Sequence, residues 1–378
     1  MDQAVLSAGG ATPARTNAYG LEGVLVAETR LSHVDGERGE LVIAGERVER
    51  LAAEPSFEDT AARLLALGDG TPVRELRAAL GRARVSAQRS LSALALAQPE
   101  AMDSLLAAVA QMSGDRSALG VLGALPVFVA AFARTRAQLP FVSAEAERGL
   151  VADFLVSLGL PADAPRVRLL ETYLVTVSDH GLNASTFAAR VVASTGSDTV
   201  PCVLAALAAL KGPLHGGAPG PVLDMLDATQ ALPDPRSWLE AELGAGRRLM
   251  GMGHRIYRVR DPRAFVFERA VARYEAELAA SALPGATAIA SRLAHARRLE
   301  AAAEALLRER HPDRPLCANV EFYTAILLEA VGIPRELFTA VFAIGRCAGW
   351  LAHIEEQRRT GRLIRPAARY IGAQPADS

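Results

Sequence analysis

The sequence contains few cysteines, a single lysine and almost no net charge. Its three cysteines, Cys202, Cys317 and Cys347, form no CxxC pair, so we expect neither a disulfide framework nor a thiolate zinc site, and a reducing cytoplasm fits best. The 41 basic residues, all arginine except Lys211, and the 42 acidic residues leave a formal charge of −1. No basic stripe could neutralise many phosphates, so nucleic acid is not expected as a partner.

Long apolar segments are also missing. The first twenty residues lack the cationic start and apolar stretch of a secretory leader, and no later stretch approaches about 18 uninterrupted apolar residues. We therefore expect no membrane span and a cytoplasmic location. Because half of the 378 residues are hydrophobic and 22% are charged, the chain can fill two or three domain-sized cores.

Turn and periodicity signals predict a protein that is predominantly α-helical. Residues 21–51 combine short β-type runs around Leu25 and Val42 with the turn signal Asp35-Gly36, which favours a short hairpin. From about residue 56 onward, apolar residues recur at helical spacing. Residues 1 to about 18 are rich in Ala, Gly, Thr and Pro, and we expect them to be frayed.

Composition changes along the helical part. The segment from about Pro219 to Tyr323 is richer in Arg and Glu than the stretch before it, and a strongly apolar helix returns at Phe338 to Ile354. Pro and Gly residues separate the predicted helices throughout. This arrangement suits a second domain inserted into a first.

Three histidines, His180, His215 and His254, lie in glycine-flanked segments. Glycine lets a ligand approach the backbone closely while the neighbouring imidazole edge stays exposed. A helix cap or a buried structural role is the alternative for each of them. Their spacing contains no HExxH pattern, so a zinc site is not favoured.

His215 precedes Gly-Gly-Ala and then Pro219, which would begin a new helix. The positive end of that helix would lower the imidazole pKa and favour a neutral donor, useful at a developing enolate oxygen. A plain helix-to-helix turn explains the glycines equally well.

Two further residues carry charge in apolar surroundings. Glu321 lies among apolar neighbours, where desolvation would raise its pKa towards that of a working base; the alternative is an acid in the first turn of a helix that begins after Pro315. Arg346 lies within an apolar helix, so we expect an anionic ligand or a carboxylate partner for it. Arg365 is another candidate, with a solvated charge as the alternative.

Five segments together resemble the citrate synthase family. They stand in the family's order and spacing, and the match extends over about Gly20 to Gly372 and is strongest from His180 to Trp350. The segments are DHGLNASTFAARVVAS, LKGPLHGGAP, GMGHRIYRVRDPRA, NVEFYTAILLEAVGIPRELFT and FAIGRCAGWLAHIEEQ. The start, GLEGVLVAETRLSHVDGERGEL, resembles the family's short β segment, and the length resembles its shorter, dimeric forms.

The resemblance implies an all-α citrate synthase fold with a large helical domain, a smaller helical domain and a short β segment near the N-terminus. Residues 1–218 and 327–378 would form the large domain, with the dimer interface and the oxaloacetate site. Residues 219–326 would form the small domain, which carries the acyl-CoA site and closes over the substrate. It also implies a homodimer, acyl-CoA as co-substrate and no tightly bound cofactor or metal.

The resemblance also implies roles for individual residues. His215 would hydrogen-bond the thioester oxygen, Glu321 would remove the methyl proton of acetyl-CoA, and His254 would polarise the oxaloacetate carbonyl. Donor and base are needed together, because a thioester α-proton is weakly acidic. The residues that match substrate or acyl-CoA contacts are His180, Asn183, Arg263, Arg346, Arg365 from the other subunit, and, for acyl-CoA, Gly251 and Gly253.

The sequence departs from the family's pattern at three places. Glu321 stands where the family usually has Asp, which adds one methylene to the base. Pro219 replaces the usual Asn, and Ile43-Ala44-Gly45-Glu46 replaces Tyr-Arg-Gly-Tyr. The Glu and Pro variants resemble a paired departure in one bacterial branch of citrate or 2-methylcitrate synthases.

Three hypotheses follow. The first is a citrate synthase of the tricarboxylic acid cycle, an acyltransferase acting on acetyl-CoA and oxaloacetate. The second is a synthase that prefers propionyl-CoA or a longer acyl-CoA and makes 2-methylcitrate or an alkylcitrate. The sequence does not separate it from the first, because one methylene in an apolar pocket changes discrimination by only about 1–3 kcal/mol. The third is a non-catalytic paralogue that binds the ligand without turnover.

Overall fold

A computed structural model describes residues 21, 24–69, 75–215, 219–254, 256–281, 285–313 and 316–373. The expectation that residues 1 to 18 are frayed, and the candidate helix start at Pro315, lie outside these residues. So do Arg255 and the glycine pair that follows His215.

The predicted hairpin is part of a three-stranded antiparallel sheet, formed by β1 (Ser32–Asp35), β2 (Glu40–Ile43) and β3 (Glu46–Arg47) in that order. Ser32 lies opposite Ile43 in the first pair of strands. Ala44 and Gly45 form the two-residue turn between β2 and β3, with φ values of 50° and 84°, as the tightest hairpin turns require. The departure at residues 43–46 therefore forms a tight turn.

Most of the rest of the described chain is helical, as the sequence predicted. The first ten α-helices are α1 (Val48–Ala53), α2 (Phe57–Asp69), α3 (Leu76–Ala87), α4 (Ala93–Leu96), α5 (Ala101–Ala110), α6 (Ala118–Arg136), α7 (Leu150–Leu158), α8 (Ala164–Val177), α9 (Ala184–Ala193) and α10 (Thr199–Lys211). The remaining six are α11 (Pro219–Thr229), α12 (Arg236–Gly244), α13 (Pro262–Ala280), α14 (Ala286–Arg310), α15 (Val320–Val331) and α16 (Phe338–Thr360). Short 3₁₀ turns cover Gln88–Ser90 and Arg335–Leu337.

Two long apolar helices, α6 and α16, lie largely within the core of the fold. α6 and α16 are long and apolar enough to cross a membrane by composition alone, but most of each is buried within the protein, as in the core helices of a folded domain. α16 packs against α2, α6, α8, α9 and α10. Its buried face continues into one hydrophobic core.

Two glycines let α16 approach the end of α8. A Cβ on Gly345 would lie 2.6 Å from Val177 Cγ2, and one on Gly349 would lie 2.3 Å from the Ser178 carbonyl oxygen. Within this chain they bring Arg346 and Trp350 beside the loop that begins at Ser178.

The segment between α12 and α13 is held by the segment before α15. Met252 and Ala318 form a β-bridge, and the Gly253 amide donates to the Cys317 carbonyl at 2.7 Å. α13 then begins at Pro262, with the Asp261 side chain capping it. As a result, the segments that carry His254, Arg263 and Glu321 lie next to one another.

Candidate active site

His215 follows α10 and contacts the first turn of α9. Its Nε2 lies 2.8 Å from Ser185 Oγ and 3.4 Å from the Ser185 backbone nitrogen. Trp350 Nε1 donates to the same hydroxyl at 3.1 Å, and Ser185 Oγ also lies 2.8 Å from Asn183 Oδ1. The imidazole is thus attached to α9 and, through Ser185, to α16.

The single hydroxyl proton of Ser185 has two acceptors in reach, Asn183 Oδ1 and His215 Nε2. The nearby Ser185 backbone N–H favours the arrangement in which His215 Nε2 accepts, which leaves the ring proton on Nδ1. Burial, and then the charge of Arg346, lowers the pKa of His215 to about 4. Burial, and not the α11 N-terminus assumed from the sequence, is thus the leading cause of the low pKa that keeps this imidazole neutral.

His254 is oriented by the backbone that follows it. Its Nδ1 accepts from the amides of Ile256 at 3.0 Å and Tyr257 at 3.1 Å, so the ring proton of the neutral form lies on Nε2. Burial, and then Arg263, lowers the pKa of His254 to about 4. Arg263 Nη2 lies 3.4 Å from His254 Nε2, so two donors converge where a ligand oxygen could accept from both.

His180 lies against His254. Their ring centroids are 5.8 Å apart, and His180 Nε2 lies 3.1 Å from the Tyr257 hydroxyl. Burial, followed by the charges of Arg263 and Arg346, holds the pKa of His180 well below its usual range. Tyr257 is buried, and its ring centroid lies 4.8 Å from that of His254. The sequence analysis did not identify Tyr257, although it follows His254 by only three residues.

Arg263 and Arg346 are both buried but differ in their partners. Arg263 forms an ion pair with Asp261 at 2.7 Å. Arg346 donates from Nε to the Val177 carbonyl at 2.6 Å and stacks over Phe342, and no carboxylate of the described residues forms an ion pair with it. Burial lowers the pKa of Arg346 to about 10, despite the opposing effect of Asp179.

An unpaired buried cation is costly unless an anion binds to it. Of the two partners expected for Arg346, a carboxylate of this chain or an anionic ligand, the structure favours the ligand. The charge of Arg346 also contributes to the lowered pKa values of His180 and His215, so the cation acts electrostatically on both imidazoles.

Glu321 occupies the first turn of α15. The Asn319 side chain caps this helix and accepts from the Glu321 amide at 2.9 Å. Burial raises the pKa of Glu321 to about 7, while Arg263 acts to lower it. The carboxyl is thus an acid in the first turn of a helix, as the structural alternative expected, and its pKa is raised as expected; its role as a base stays a prediction.

The remaining predicted residues have backbone or surface positions. Asn183 caps α9, with Oδ1 accepting from the Thr186 amide at 3.1 Å. Gly251 and Gly253 adopt φ values of 75° and 79°, and a Cβ on either would lie within 3.0 Å of a neighbouring side chain. Arg365 is exposed in the non-helical segment after α16.

A buried polar network supports the loop that bears His180. Arg190 donates to Glu356 at 2.7 Å and to His353 Nδ1 at 2.9 Å. His353 therefore carries its proton on Nε2 and donates it to Asp179 Oδ2 at 3.2 Å. Sequence reasoning missed this network.

The described residues contain neither a disulfide nor a cluster of metal-ligating side chains. All three thiols are free. Within these ranges no group of three His, Cys, Asp or Glu side chains is placed to hold a metal ion.

Comparison with known proteins gives one consistent result. The family pattern described as "Citrate synthase, C-terminal domain" matches residues 20–367. A Mycobacterium tuberculosis protein named provisionally as citrate synthase 2 is 37% identical over 365 residues, which cover 94% of this chain and 93% of the relative. The Haloferax volcanii citrate synthase is 35% identical, with 95% and 96% covered.

Solved structures agree. Citrate synthase from Thermotoga maritima superposes with a TM-score of 0.78 at 29% identity, covering 95% of this chain and 97% of that one. The Thermoplasma acidophilum citrate synthase, solved as a ternary complex with carboxymethyl coenzyme A and oxaloacetate, gives a TM-score of 0.77 at 27% identity with the same coverage.

Proposed function

The chain belongs to the citrate synthase family of acyl-transferring enzymes, and from this premise we propose that it condenses acetyl-CoA with oxaloacetate and water to give citrate and CoA. The observation that carries the proposal is the buried Arg346. Its charge acts on the neutral imidazoles of His180 and His215, and no described carboxylate forms an ion pair with it. A small dicarboxylate supplies the missing negative charge.

In the proposed complex, Arg263, Arg346 and His180 bind the carboxylates of oxaloacetate, and Asn183 lies at the edge of that site. Arg365 of a second copy completes it, so the working form is a homodimer. Arginine suits this role because its planar fork matches a carboxylate. The ketone oxygen accepts from His254 Nε2, beside Arg263 Nη2.

Condensation then begins at the methyl group of acetyl-CoA. The Glu321 carboxylate takes the methyl proton, and the electron pair moves into the enolate. The His215 Nδ1–H donates to the thioester oxygen, where negative charge develops. A donor fixed by Ser185 needs no reorganisation at that moment, which is the source of such stabilisation.

The enolate carbon attacks the ketone carbon of oxaloacetate. The new alkoxide takes the proton of His254 Nε2, which gives citryl-CoA; the methyl proton held by Glu321 then returns through solvent to His254 Nε2, which restores both groups. Water hydrolyses this thioester and releases citrate and CoA. Acyl-CoA, held in part at Gly251 and Gly253, is a co-substrate, and none of these steps uses a tightly bound cofactor.

Residues 219–326 form the small domain in this proposal, and residues 1–218 with 327–378 form the large one. Closure of the small domain keeps water from the enolate until the carbon–carbon bond has formed. The reaction takes place in the cytoplasm as part of the tricarboxylic acid cycle.

The test is release of CoA thiol from acetyl-CoA or propionyl-CoA, each with and without oxaloacetate. Oxaloacetate-dependent release that is faster with acetyl-CoA supports the proposal, and a faster rate with propionyl-CoA changes the product to 2-methylcitrate. If neither acyl-CoA releases thiol, calorimetry measures whether oxaloacetate binds. Oxaloacetate binding without turnover of any acyl-CoA would replace the enzyme by a binding paralogue.

A further inference from the structure

The β1–β2 hairpin (Ser32–Ile43) lies against both histidine-bearing segments of the oxaloacetate site. Its base contacts the His180 loop. Ser32 Oγ donates to Asp179 Oδ2 at 2.5 Å and accepts from the Gly181 amide at 2.8 Å. The two residues that flank His180 are therefore attached to the first residue of β1.

The tip of the same hairpin contacts the segment that follows His254. The Gly36 carbonyl accepts from the Arg258 amide at 2.9 Å. A Cβ on Gly36 would lie 2.3 Å from the Ile256 carbonyl oxygen and 2.8 Å from its carbon. Because backbone atoms cannot rotate away, the approach of these two segments requires glycine.

The conformation of the tip is fixed locally. The Asp35 side chain accepts from the amides of Glu37 and Arg38, both at 3.0 Å, an arrangement that favours a tight turn. At the end of the turn, a Cβ on Gly39 would lie 2.7 Å from Val259 Cγ2. The tip thus meets residues 256–260 as a preformed surface.

The contacted segment orients two groups of the site. The Ile256 and Tyr257 amides hold His254 Nδ1, and the Tyr257 hydroxyl reaches His180 Nε2. A displacement of Ile256 therefore moves the His254 ring and the Tyr257 side chain together. A shift of about 1 Å in such groups can cost about 100-fold in rate.

We propose that this hairpin is a positioning element that sets the spacing between His180 and His254, with Gly36 as the residue on which the contact depends. The inference rests on the proposed function, because the two histidines are taken to bind one oxaloacetate molecule. Gly36 touches no substrate and acts only through residues 256–258.

The test compares Gly36→Ala with Gly244→Ala, an exposed glycine that has open space around a Cβ. For Gly36→Ala we expect a rise of roughly tenfold or more in the KM for oxaloacetate and a change below about twofold in the KM for acetyl-CoA. Gly244→Ala should match the wild type. A lowered Tm with unchanged KM for oxaloacetate would make the hairpin merely structural and overturn the proposal.

Two further measurements cover a Gly36→Ala protein that fails to fold. Ser32→Ala releases the base of the hairpin and should also raise the KM for oxaloacetate selectively. In the wild type, hydrogen exchange at the Arg258 amide should be slowed by about 100-fold or more relative to an exposed amide, and an unprotected amide would refute the contact. The exchange measurement needs no substrate. A wild-type protein without turnover would therefore count against the proposed function, while the exchange rate of the Arg258 amide would still show whether the hairpin contact exists.

Discussion

Ser185 Oγ and His215 Nε2 lie 2.8 Å apart, although the two residues are 30 positions apart in sequence. The hydroxyl also accepts from the buried Trp350 indole. A residue of α9 therefore joins the proposed enolate donor to the central helix α16.

Replacing Ser185 by alanine should separate chemistry from substrate binding. We expect kcat to fall by about 10- to 100-fold, because His215 loses the contact that orients its ring, while the affinity for oxaloacetate stays within about twofold. The Trp350 N–H loses its acceptor, which should cost about 1–3 kcal/mol of stability. Steady-state kinetics, calorimetry and denaturant unfolding measure the three effects.

The control for this variant is Ser291→Ala, on the exposed side of α14. It should leave all three quantities unchanged. A Ser185→Ala enzyme with wild-type kcat would show that His215 needs no support from α9.

The Glu321 carboxyl sets the expected pH dependence. Its pKa is raised to about 7, so the carboxylate proposed as the base is lost below that pH. The pKa values of His215 and His254 are lowered to about 4, and both stay neutral throughout this range. We therefore expect kcat/KM for acetyl-CoA to fall about tenfold per pH unit below pH 7. A flat profile between pH 5 and 8 would contradict the assignment of the base.

The same carboxyl should make the folded protein less stable as the pH rises, whereas activity should increase with pH. Because its folded pKa lies above the ordinary value of 4.5, its contribution to stability is complete below about pH 4.5 and is lost as the pH rises through 7. Glu321→Gln stays neutral, so its Tm should exceed that of the wild type at pH 8 and match it near pH 4. An unchanged or lower Tm at pH 8 would show that the carboxyl is better solvated than proposed.

Arg346 should bind ligand at the expense of stability. Arg346→Met removes a buried charge that has no ion pair with a described carboxylate, so we expect unfolding stability to be unchanged or higher. Oxaloacetate affinity should fall by at least about 100-fold, as for loss of a charge-assisted bidentate contact. Calorimetry and chemical denaturation test the two effects.

Arg190→Met provides the matched comparison. Arg190 is equally buried but is paired with Glu356 at 2.7 Å, and its loss leaves that carboxylate unpaired. We expect it to cost about 3–5 kcal/mol of stability. Equal destabilisation by the two variants would contradict the distinction between a ligand-binding and a structural arginine.

Shortening Glu321 to aspartate tests the departure from the family's usual base. The backbone of α15 holds the present carboxyl at the length of glutamate, so Glu321→Asp should withdraw it by about 1 Å and reduce kcat by about 100-fold. Oxaloacetate affinity should be unchanged. A kcat equal to or above that of the wild type would show that the site tolerates both lengths.

The sequence predicted the elements of the fold better than the contacts between them. Apolar spacing and turn signals predicted a helical protein with a β-hairpin, and Pro219 begins α11 as expected. The apolar neighbours of Glu321 in the sequence predicted that desolvation raises its pKa, and in the structure burial raises it. These features depend on residues that are close in the chain.

The missed residues depend on long-range contacts. Ser185 meets His215, Tyr257 meets His180, and His353 meets Asp179 across separations of 30, 77 and 174 residues. The residues next to a serine, tyrosine or histidine in the sequence do not indicate which distant side chain it will contact. The cause of the lowered His215 pKa was missed for the same reason, since burial depends on how the helices pack.

The ion pair at the end of α10 has a practical consequence. Lys211 closes that helix four residues before His215, and its ammonium contacts Asp103 on α5 and lies 3.6 Å from Glu100. As the only lysine in the chain, it gives amine-directed reagents a single side-chain target. A fluorophore attached there would report on the segment that carries His215 without the introduction of a cysteine.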